Sequence, residues 1–121
     1  MFQDFVHVEI PSANLQRAAS FYHEVFGWQM NYVEEADYML FETGGAINGA
    51  FYHSPDHTGR QGVVVYIHVG NIEASLKLIN ENGGKTFVPK TPVEKMGSFA
   101  LFHDPDGNVL GIWENEPETA S

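Results

Sequence analysis

Two histidines and one glutamate are the side chains whose types and spacing could do chemistry. His7 and His68 each lie in a run of β-branched residues that is soon followed by an asparagine. Glu114 lies at the end of the last such run. Two imidazoles and one carboxylate that converge form a donor set for a divalent metal and leave coordination positions open for substrate or water. These donors suit Fe(II), Mn(II), Ni(II), Co(II) or Zn(II), and the residues alone neither choose among the metals nor require one.

An internal repeat is the reason for grouping these residues. Aligning the two halves of the chain pairs His7 with His68 and Tyr52 with Glu114. Two copies of one unit are expected to pack around a pseudo-twofold axis. The alignment therefore predicts four quasi-equivalent positions, occupied by His7, Tyr52, His68 and Glu114, around one concave site.

Alternation along the predicted strands assigns the faces, because successive strand side chains point to opposite sides of a sheet. The aliphatic positions predicted to pack under the helices are Val6, Val8, Ile10, Val63, Val65, Ile67 and Val69. The positions assigned to the concave face are Phe5, His7, Glu9, Val64, Tyr66, His68, Leu110, Ile112 and Glu114.

The candidate catalytic residues each have an ordinary alternative. Glu114 could be a metal ligand and catalytic carboxylate, or a solvated residue at the start of the polar tail. Glu9 could be a general base or could orient His7, and it could equally be a rim carboxylate. Tyr52 could be a pocket hydroxyl or acid, or an aromatic filler of the cup. The two histidines could instead be satisfied by neighbouring carboxylates, with no metal.

The order of elements is the same in both halves. The predicted elements of the first half are a strand over 5–10, a helix between Asn14 and Gly27, and strands over 28–33, 38–42 and 46–52. Those of the second are a strand over 63–69, a helix between Asn71 and Asn82, and strands over 85–88, 98–102 and 108–113. Asparagine N-caps and glycine stops support both helices. The residues 88–97 are predicted to form a loop over a pocket.

Several of these motifs resemble the vicinal oxygen chelate superfamily, which includes glyoxalase I, bleomycin-resistance proteins and extradiol dioxygenases. The resemblance runs from about Phe5 to Glu114 and is carried by three segments. They are Val6-His7-Val8-Glu9-Ile10-Pro11, the helical run Ala18–Tyr22 with Val25-Phe26-Gly27-Trp28, and His103-Asp104-Pro105-Asp106-Gly107-Asn108 followed by Gly111-Ile112-Trp113-Glu114. Among its members, the small glyoxalase-related proteins are the most similar.

The resemblance implies an α+β fold of two βαβββ modules, with mixed sheets that form a half-open barrel in a single domain. The domain is expected over 1–121, with module one at 4–54 and module two at 62–115. In the superfamily the barrel surrounds a metal, and His7, His68 and Glu114 match three ligand positions. Tyr52 departs from the pattern at the fourth. A homodimer is implied, and if modules are exchanged the cup could combine His7 of one chain with His68 and Glu114 of the other.

Two functions remain open at this point. One is a metal-dependent enzyme, a lyase, isomerase or ring-opening dioxygenase that acts on a small oxygen-chelating molecule. The other is a metal-free protein that binds or sequesters a small molecule, as bleomycin-resistance proteins do. The residues leave open whether the chain is an enzyme, and of the two functions the metal-dependent lyase or dioxygenase is favoured.

Composition limits the partners and the setting. The chain has 121 residues, with 6 Lys and Arg against 16 Asp and Glu, which gives a net charge of −10. Such an excess of acid disfavours nucleic acid and anionic membranes. There are no cysteines, so disulfides and thiolate chemistry are excluded. No signal peptide or run of ~18 apolar residues is evident, and a cytoplasmic protein is expected.

Overall fold

Two successive βαβββ modules make up the chain in a computed structural model that describes residues 5–59 and 62–117. Module one contains β1 (His7–Ser12), α1 (Leu15–Phe26), β2 (Gln29–Val33), β3 (Tyr38–Glu42) and β4 (Asn48–His53). Module two contains β5 (Tyr66–His68), α2 (Ile72–Glu81), β6 (Lys85–Val93), β7 (Gly97–His103) and β8 (Val109–Asn115). One-turn 3-10 helices span Glu34–Ala36 and Pro55–His57. The predicted α+β fold is confirmed; residue 4, the predicted start of module one, lies outside the described residues.

Each module forms one four-stranded mixed sheet. The strand order is β1-β4-β3-β2 in the first sheet and β5-β8-β7-β6 in the second. The pairs β1–β4 and β5–β8 are parallel, and the other neighbours are antiparallel. The connection between the two strands of each parallel pair runs through a helix and two further strands, which is long enough for the crossover that a parallel pair needs. The two sheets do not close into a barrel within one chain.

Both helices begin at the predicted asparagines. The side chain of Asn14 accepts a hydrogen bond from the backbone nitrogen of Arg17 at 3.0 Å, and that of Asn71 accepts one from Ala74 at 2.9 Å. These bonds satisfy amide groups that the first turn of a helix leaves free. Gly27 ends α1 in the left-handed conformation, with φ of 75°. The local sequence thus fixes where each helix starts.

A single core joins the two modules on the helix side of both sheets. Phe21 and Phe26 of α1 pack on Phe102 of β7, with ring centroids 6.1 and 6.0 Å apart. Tyr22 is fully buried and stacks on Trp28 at 4.9 Å. Because module one supplies rings to the core of module two, we expect the two modules to depend on each other for stability.

The turn between β7 and β8 fastens module two to module one. Asp106 accepts hydrogen bonds from the hydroxyl of Ser12 at 2.7 Å, the backbone nitrogen of Ala13 at 2.8 Å and Arg17 Nη2 at 2.6 Å. Asn108 donates to the carbonyl of Pro11 at 2.7 Å. These contacts place the end of β1 and the start of α1 against the turn.

Three predicted strand features are wrong. The most strand-like run, 63–69, forms only the three-residue β5, and Val63 and Val65 are 94% and 39% exposed instead of packed under the helices. Val6 is likewise 81% exposed because it precedes β1. The residues 88–93, predicted as part of a loop, continue β6 through register shifts against β7.

Candidate binding site on the open sheet faces

Each sheet has one face under the helices and one open face. Val8 and Ile10 pack against the core, whereas the alternating His7 and Glu9 are exposed, as predicted for β1. In β5, Ile67 packs against the core and its neighbours Tyr66 and His68 are exposed. The predicted side-chain faces of β1 and of β5, within their observed bounds, are therefore confirmed.

A hydrogen-bonded group of three side chains occupies the open face of module one. The hydroxyl of Tyr38 donates a short hydrogen bond to Glu9 Oε2. His7 Nε2 lies 2.9 Å from the same hydroxyl oxygen and 3.7 Å from Glu9 Oε2. Because the Tyr38 proton is used toward Glu9, we assign the proton on Nε2 of His7 as the donor to Tyr38. Hydrogen-bond donation therefore runs in one direction, from His7 to Tyr38 and from Tyr38 to Glu9.

The electrostatics of this group favour a neutral phenol beside a charged carboxylate. The hydrogen bond to Glu9, reinforced by partial burial and by the negative charge of Glu9, raises the pKa of Tyr38 to about 12. The side chains of His7 and Glu9 are 40% and 49% exposed. The group can therefore offer a carboxylate to a cation or a hydrogen-bond donor from solvent.

Tyr38 is a site residue that the sequence pattern does not identify. It lies two strands from β1, because β4 pairs with both β1 and β3. Ala50 of β4 stands between Glu9 and Leu40 in the register. We attribute the room for the Tyr38 ring to the small side chain of Ala50. Only the strand order, which the sequence pattern does not give, brings Tyr38 to Glu9.

Tyr52 shares the open face with this group. It is the register partner of Pro11 on one side and of Tyr38 on the other, and it is half-buried. Its predicted role as a pocket hydroxyl stays a prediction, as does that of Glu9 as a general base.

Aromatic side chains dominate the open face of module two. Tyr66, Val93, Phe99 and Trp113 line a shallow hollow there. Tyr66 lies over Gly111, where a Cβ atom would come within 2.3 Å of the ring. Because Trp113 is the register partner of His68, the imidazole lies beside this hollow. The face resembles the stacking surface that protein sites use for flat apolar groups.

Glu114 lies on the opposite, helix-covered face. Its Oε1 accepts a hydrogen bond from the backbone nitrogen of Ile72 at 2.7 Å, and its Oε2 lies 3.2 Å from Lys90 Nζ. The bond from Ile72, together with Lys90, lowers the pKa of Glu114 although burial opposes this. The assignment of Leu110, Ile112 and Glu114 to the concave face is wrong, because Leu110 and Ile112 belong to the core.

The register explains the error. Ile10 and Ile67 are equivalent, because each lies five residues before the first residue of a helix. Ile10 pairs with Phe51 in module one, and Ile67 pairs with Ile112 in module two. The position equivalent to Tyr52 is therefore Trp113, one residue before Glu114. A slip of one residue turns a side chain to the other face of a sheet.

The same register separates the two histidines. His7 lies three residues before Ile10, and the position three before Ile67 is Val64. His68 corresponds instead to Pro11. The two imidazoles therefore do not occupy equivalent places, and the four predicted positions do not form one symmetric set.

A resident metal does not fit the donors in one chain. His68 and Glu114 point to opposite faces of their sheet, which no exchange of modules between copies alters. Within residues 5–59 and 62–117, no group of three or more His, Asp or Glu side chains is arranged to hold a metal ion. In the same ranges no helix is long and apolar enough to span a membrane.

Comparison with known proteins identifies the family. Residues 4–112 match the Glyoxalase/Bleomycin resistance protein/Dioxygenase superfamily. A glyoxylase-like domain-containing protein of Didymella fabae is 28% identical over 116 aligned positions, in a match that covers 87% of this chain and 88% of that protein.

Solved structures share the fold at low sequence identity. The fosfomycin resistance protein FosX of Listeria monocytogenes superposes with a TM-score of 0.79 and 14% identity, over 96% of each chain. A glyoxalase/bleomycin resistance protein/dioxygenase family enzyme of Burkholderia phytofirmans gives 0.78 and 17%, over 93% of this chain and 99% of that one. FosX has also been crystallised, as a point mutant, with Mn(II) and 1S,2S-dihydroxypropylphosphonic acid.

Proposed function

The chain belongs to the glyoxalase/bleomycin resistance protein/dioxygenase superfamily, and we propose that it binds a small aromatic cation on its open sheet faces without a resident metal. The observation that carries this proposal is that one open sheet face has an aromatic hollow and the other has a half-exposed carboxylate, Glu9. Flat rings would stack on Tyr66 and Trp113, and a positive group would meet Glu9.

The donor arrangement supports the metal-free alternative of the two functions that the sequence leaves open. Glu114 already accepts hydrogen bonds on both oxygens, one from Ile72 and one from Lys90. Releasing it toward His68 would leave the first turn of α2 without this acceptor. Gly111, on the open face, has no side chain and no room for one beneath Tyr66.

Charge supports a cationic ligand. The chain carries a net charge of −10, and Glu9 is held beside Tyr38, whose neutral hydroxyl donates to it. A carboxylate fixed in this way attracts a cation without an ordering cost of its own. An anionic ligand of the same shape would be repelled.

A homodimer would give both faces a partner. Tyr66 is 48% exposed and Trp113 is half-buried in the single chain, although aromatic surface is usually covered in a soluble protein. We include in the proposal that the open face of module one in one copy faces the open face of module two in another. The ligand would then lie between Glu9 of one copy and the aromatic hollow of its partner.

An enzymatic role has one specific observation in its favour. The hydrogen-bond chain from His7 through Tyr38 to Glu9 is a group that can hold and move a proton. The metal-dependent lyase or dioxygenase that the family resemblance implies is the second candidate. It requires a donor set other than His7, His68 and Glu114 within one chain.

Ligand binding can be tested by titrating the protein with three probes of similar size: benzamidine, benzyl alcohol and benzoate. The readout is the indole N–H resonance of Trp113, identified by its loss in Trp113→Phe. We expect benzamidine to shift it with the highest affinity and benzoate with the lowest. In Glu9→Gln the benzamidine affinity should fall about fivefold, as for the loss of one partly exposed charge pair.

A matched control is Glu24→Gln, which removes a carboxylate from the exposed side of α1. It should leave the benzamidine titration unchanged. Equal affinities for benzamidine and benzoate would refute the cationic preference. No movement of the Trp113 resonance with any of the three probes would refute the site itself.

A further inference from the structure

A second cavity lies between the two modules, and Tyr66 and His68 of its wall also belong to the open face of module two. Its volume is about 760 Å³. Module one contributes Val8, Phe26, Trp28 and Phe41 to its walls, and module two contributes the segment 63–70, Ser75 and Leu110. We infer that this inter-module cleft binds one small, neutral, largely apolar molecule. The inference does not rest on the function proposed above.

The repeat predicts two equivalent contacts between the modules, and the cleft lies where one of these contacts is not made. The turn between β7 and β8 meets the end of β1 through Asp106 and Asn108, whose side chains hydrogen-bond to Ser12 and Pro11. By the repeat, the turn between β3 and β4 should meet the end of β5 in the same way. Instead residues of that turn line the cleft, together with 63–70. The space is therefore created by the missing half of a symmetric contact.

Size argues for a ligand. Small-molecule sites have volumes of roughly 300–1,000 Å³, and ordinary cores hold few voids larger than a water molecule. The cleft is within the range for ligands and lies beside the core rings of Trp28 and Phe41, which stack 4.5 Å apart.

The chemistry of the walls selects a neutral occupant. Of the described residues that line the cleft, none is Asp, Glu, Lys or Arg, although the chain has 16 acidic residues; the polar side chains of the wall are Thr43, Asn48, Tyr66, His68 and Ser75. One polar corner is formed by Thr43 and Asn48, where the Asn48 amide oxygen accepts from the Thr43 backbone nitrogen at 2.8 Å. An apolar chain or ring with a single hydroxyl suits walls of this kind, because the hydroxyl can reach that corner.

A short-range fluorescence quencher can test this inference. In Trp113→Phe the only remaining tryptophan is Trp28, a cleft residue that is 6% exposed. The probe is 6-bromohexan-1-ol, a neutral apolar molecule with one hydroxyl and a bromine that quenches at close range. We expect saturable quenching of Trp28 fluorescence as the probe fills the cleft.

Two variants of neighbouring positions on α2 make the result specific. Ser75→Phe adds a ring to the cleft wall and should weaken the saturable quenching at least tenfold. Ala74→Phe adds the same ring at an exposed position and should leave it unchanged. If Ser75→Phe unfolds the chain, Ser75→Leu replaces it and should also weaken the saturable quenching. Nuclear Overhauser contacts from the probe to the methyl groups of Val8 and Leu110 would then show directly that the probe is in the cleft.

Three results would overturn the inference. Quenching that rises linearly with probe concentration would mean that no site exists. Saturable quenching that persists in Ser75→Phe would put the probe elsewhere. A change in the sedimentation coefficient caused by Ser75→Phe and not by Ala74→Phe would mean that a second copy of the chain, and not a small molecule, fills the cleft.

Discussion

Glu114 shows how one residue of register decides a functional assignment. The sequence correctly predicts a carboxylate near the end of the last strand. In the structure this carboxylate accepts a hydrogen bond from the backbone nitrogen of Ile72, at the start of α2. The sequence error arises because the alignment that pairs Tyr52 with Glu114 is one residue out. Only the pairing of Ile112 with Ile67 corrects it. Side-chain alternation then moves Glu114 from the open face to the helix face.

Replacing Glu114 by glutamine should destabilise the fold at neutral pH. The acceptor for the first amide of α2 loses its charge, the ion pair with Lys90 is lost, and the side chain is only 16% exposed, so the expected cost is about 1 kcal/mol. Urea unfolding at pH 7 measures the change. The matched control is Glu116→Gln, at an exposed position in the tail, which should have no measurable effect.

The same variant should change the acid dependence of stability. The pKa of Glu114 is lowered in the folded state, so its carboxylate stabilises the fold above the ordinary value of 4.5. That contribution is lost as the pH falls through the folded pKa. The free energy of unfolding of Glu114→Gln should therefore fall less steeply than that of the natural chain below pH 5. Parallel curves would contradict the assigned contact.

Only some residues of the site on module one can be predicted from the sequence. His7, Glu9 and Tyr52 can be placed on one face because alternation along a strand is a local property. Tyr38 cannot, because its contact with Glu9 depends on β4 lying between β1 and β3, which no local pattern specifies. Long-range strand order is the physical information that a single sequence lacks.

Helices and tight turns are the elements that the sequence predicts best. Asn14, Asn71 and Gly27 act through hydrogen bonds or backbone angles within a few residues, so their effect is readable locally. Strand ends are predicted less well. The valines at 63–65 have strong strand propensity, yet the paired register with β8 begins only at Tyr66. Strand formation depends on a neighbour as well as on residue type.

The turn between β7 and β8 should be the element that couples the modules. Asp106 is 1% exposed at its side chain and accepts three hydrogen bonds from module one. Asp106→Asn removes the charge that Arg17 meets, and we expect a loss of about 2 to 3 kcal/mol. Denaturant unfolding measures it, with Glu24→Gln as control. A loss no larger than that of Arg17→Met, which removes one bond from a half-exposed side chain, would contradict this role.

At the scale of the whole molecule, the open faces predict association. We expect the chain to sediment with the mass of two copies, and Tyr66→Glu to shift it toward the mass of one. Leu78→Glu is a matched control, because Leu78 on α2 is 42% exposed and Tyr66 is 48% exposed. Dissociation by Leu78→Glu alone would assign the interface to the helix layer and contradict the proposed dimer. Circular dichroism checks that both variants fold.

The absence of a resident metal is the claim on which the proposed function depends most, and calorimetric titration tests it most directly. Purified protein is assayed for metal content and then titrated with Mn(II), Fe(II), Ni(II), Co(II) and Zn(II). Because His68 and Glu114 lie on opposite faces of one sheet, we expect no metal near one equivalent per chain and no tight binding. Tight binding of one metal per chain that is lost in both His68→Ala and Glu114→Ala would contradict the account.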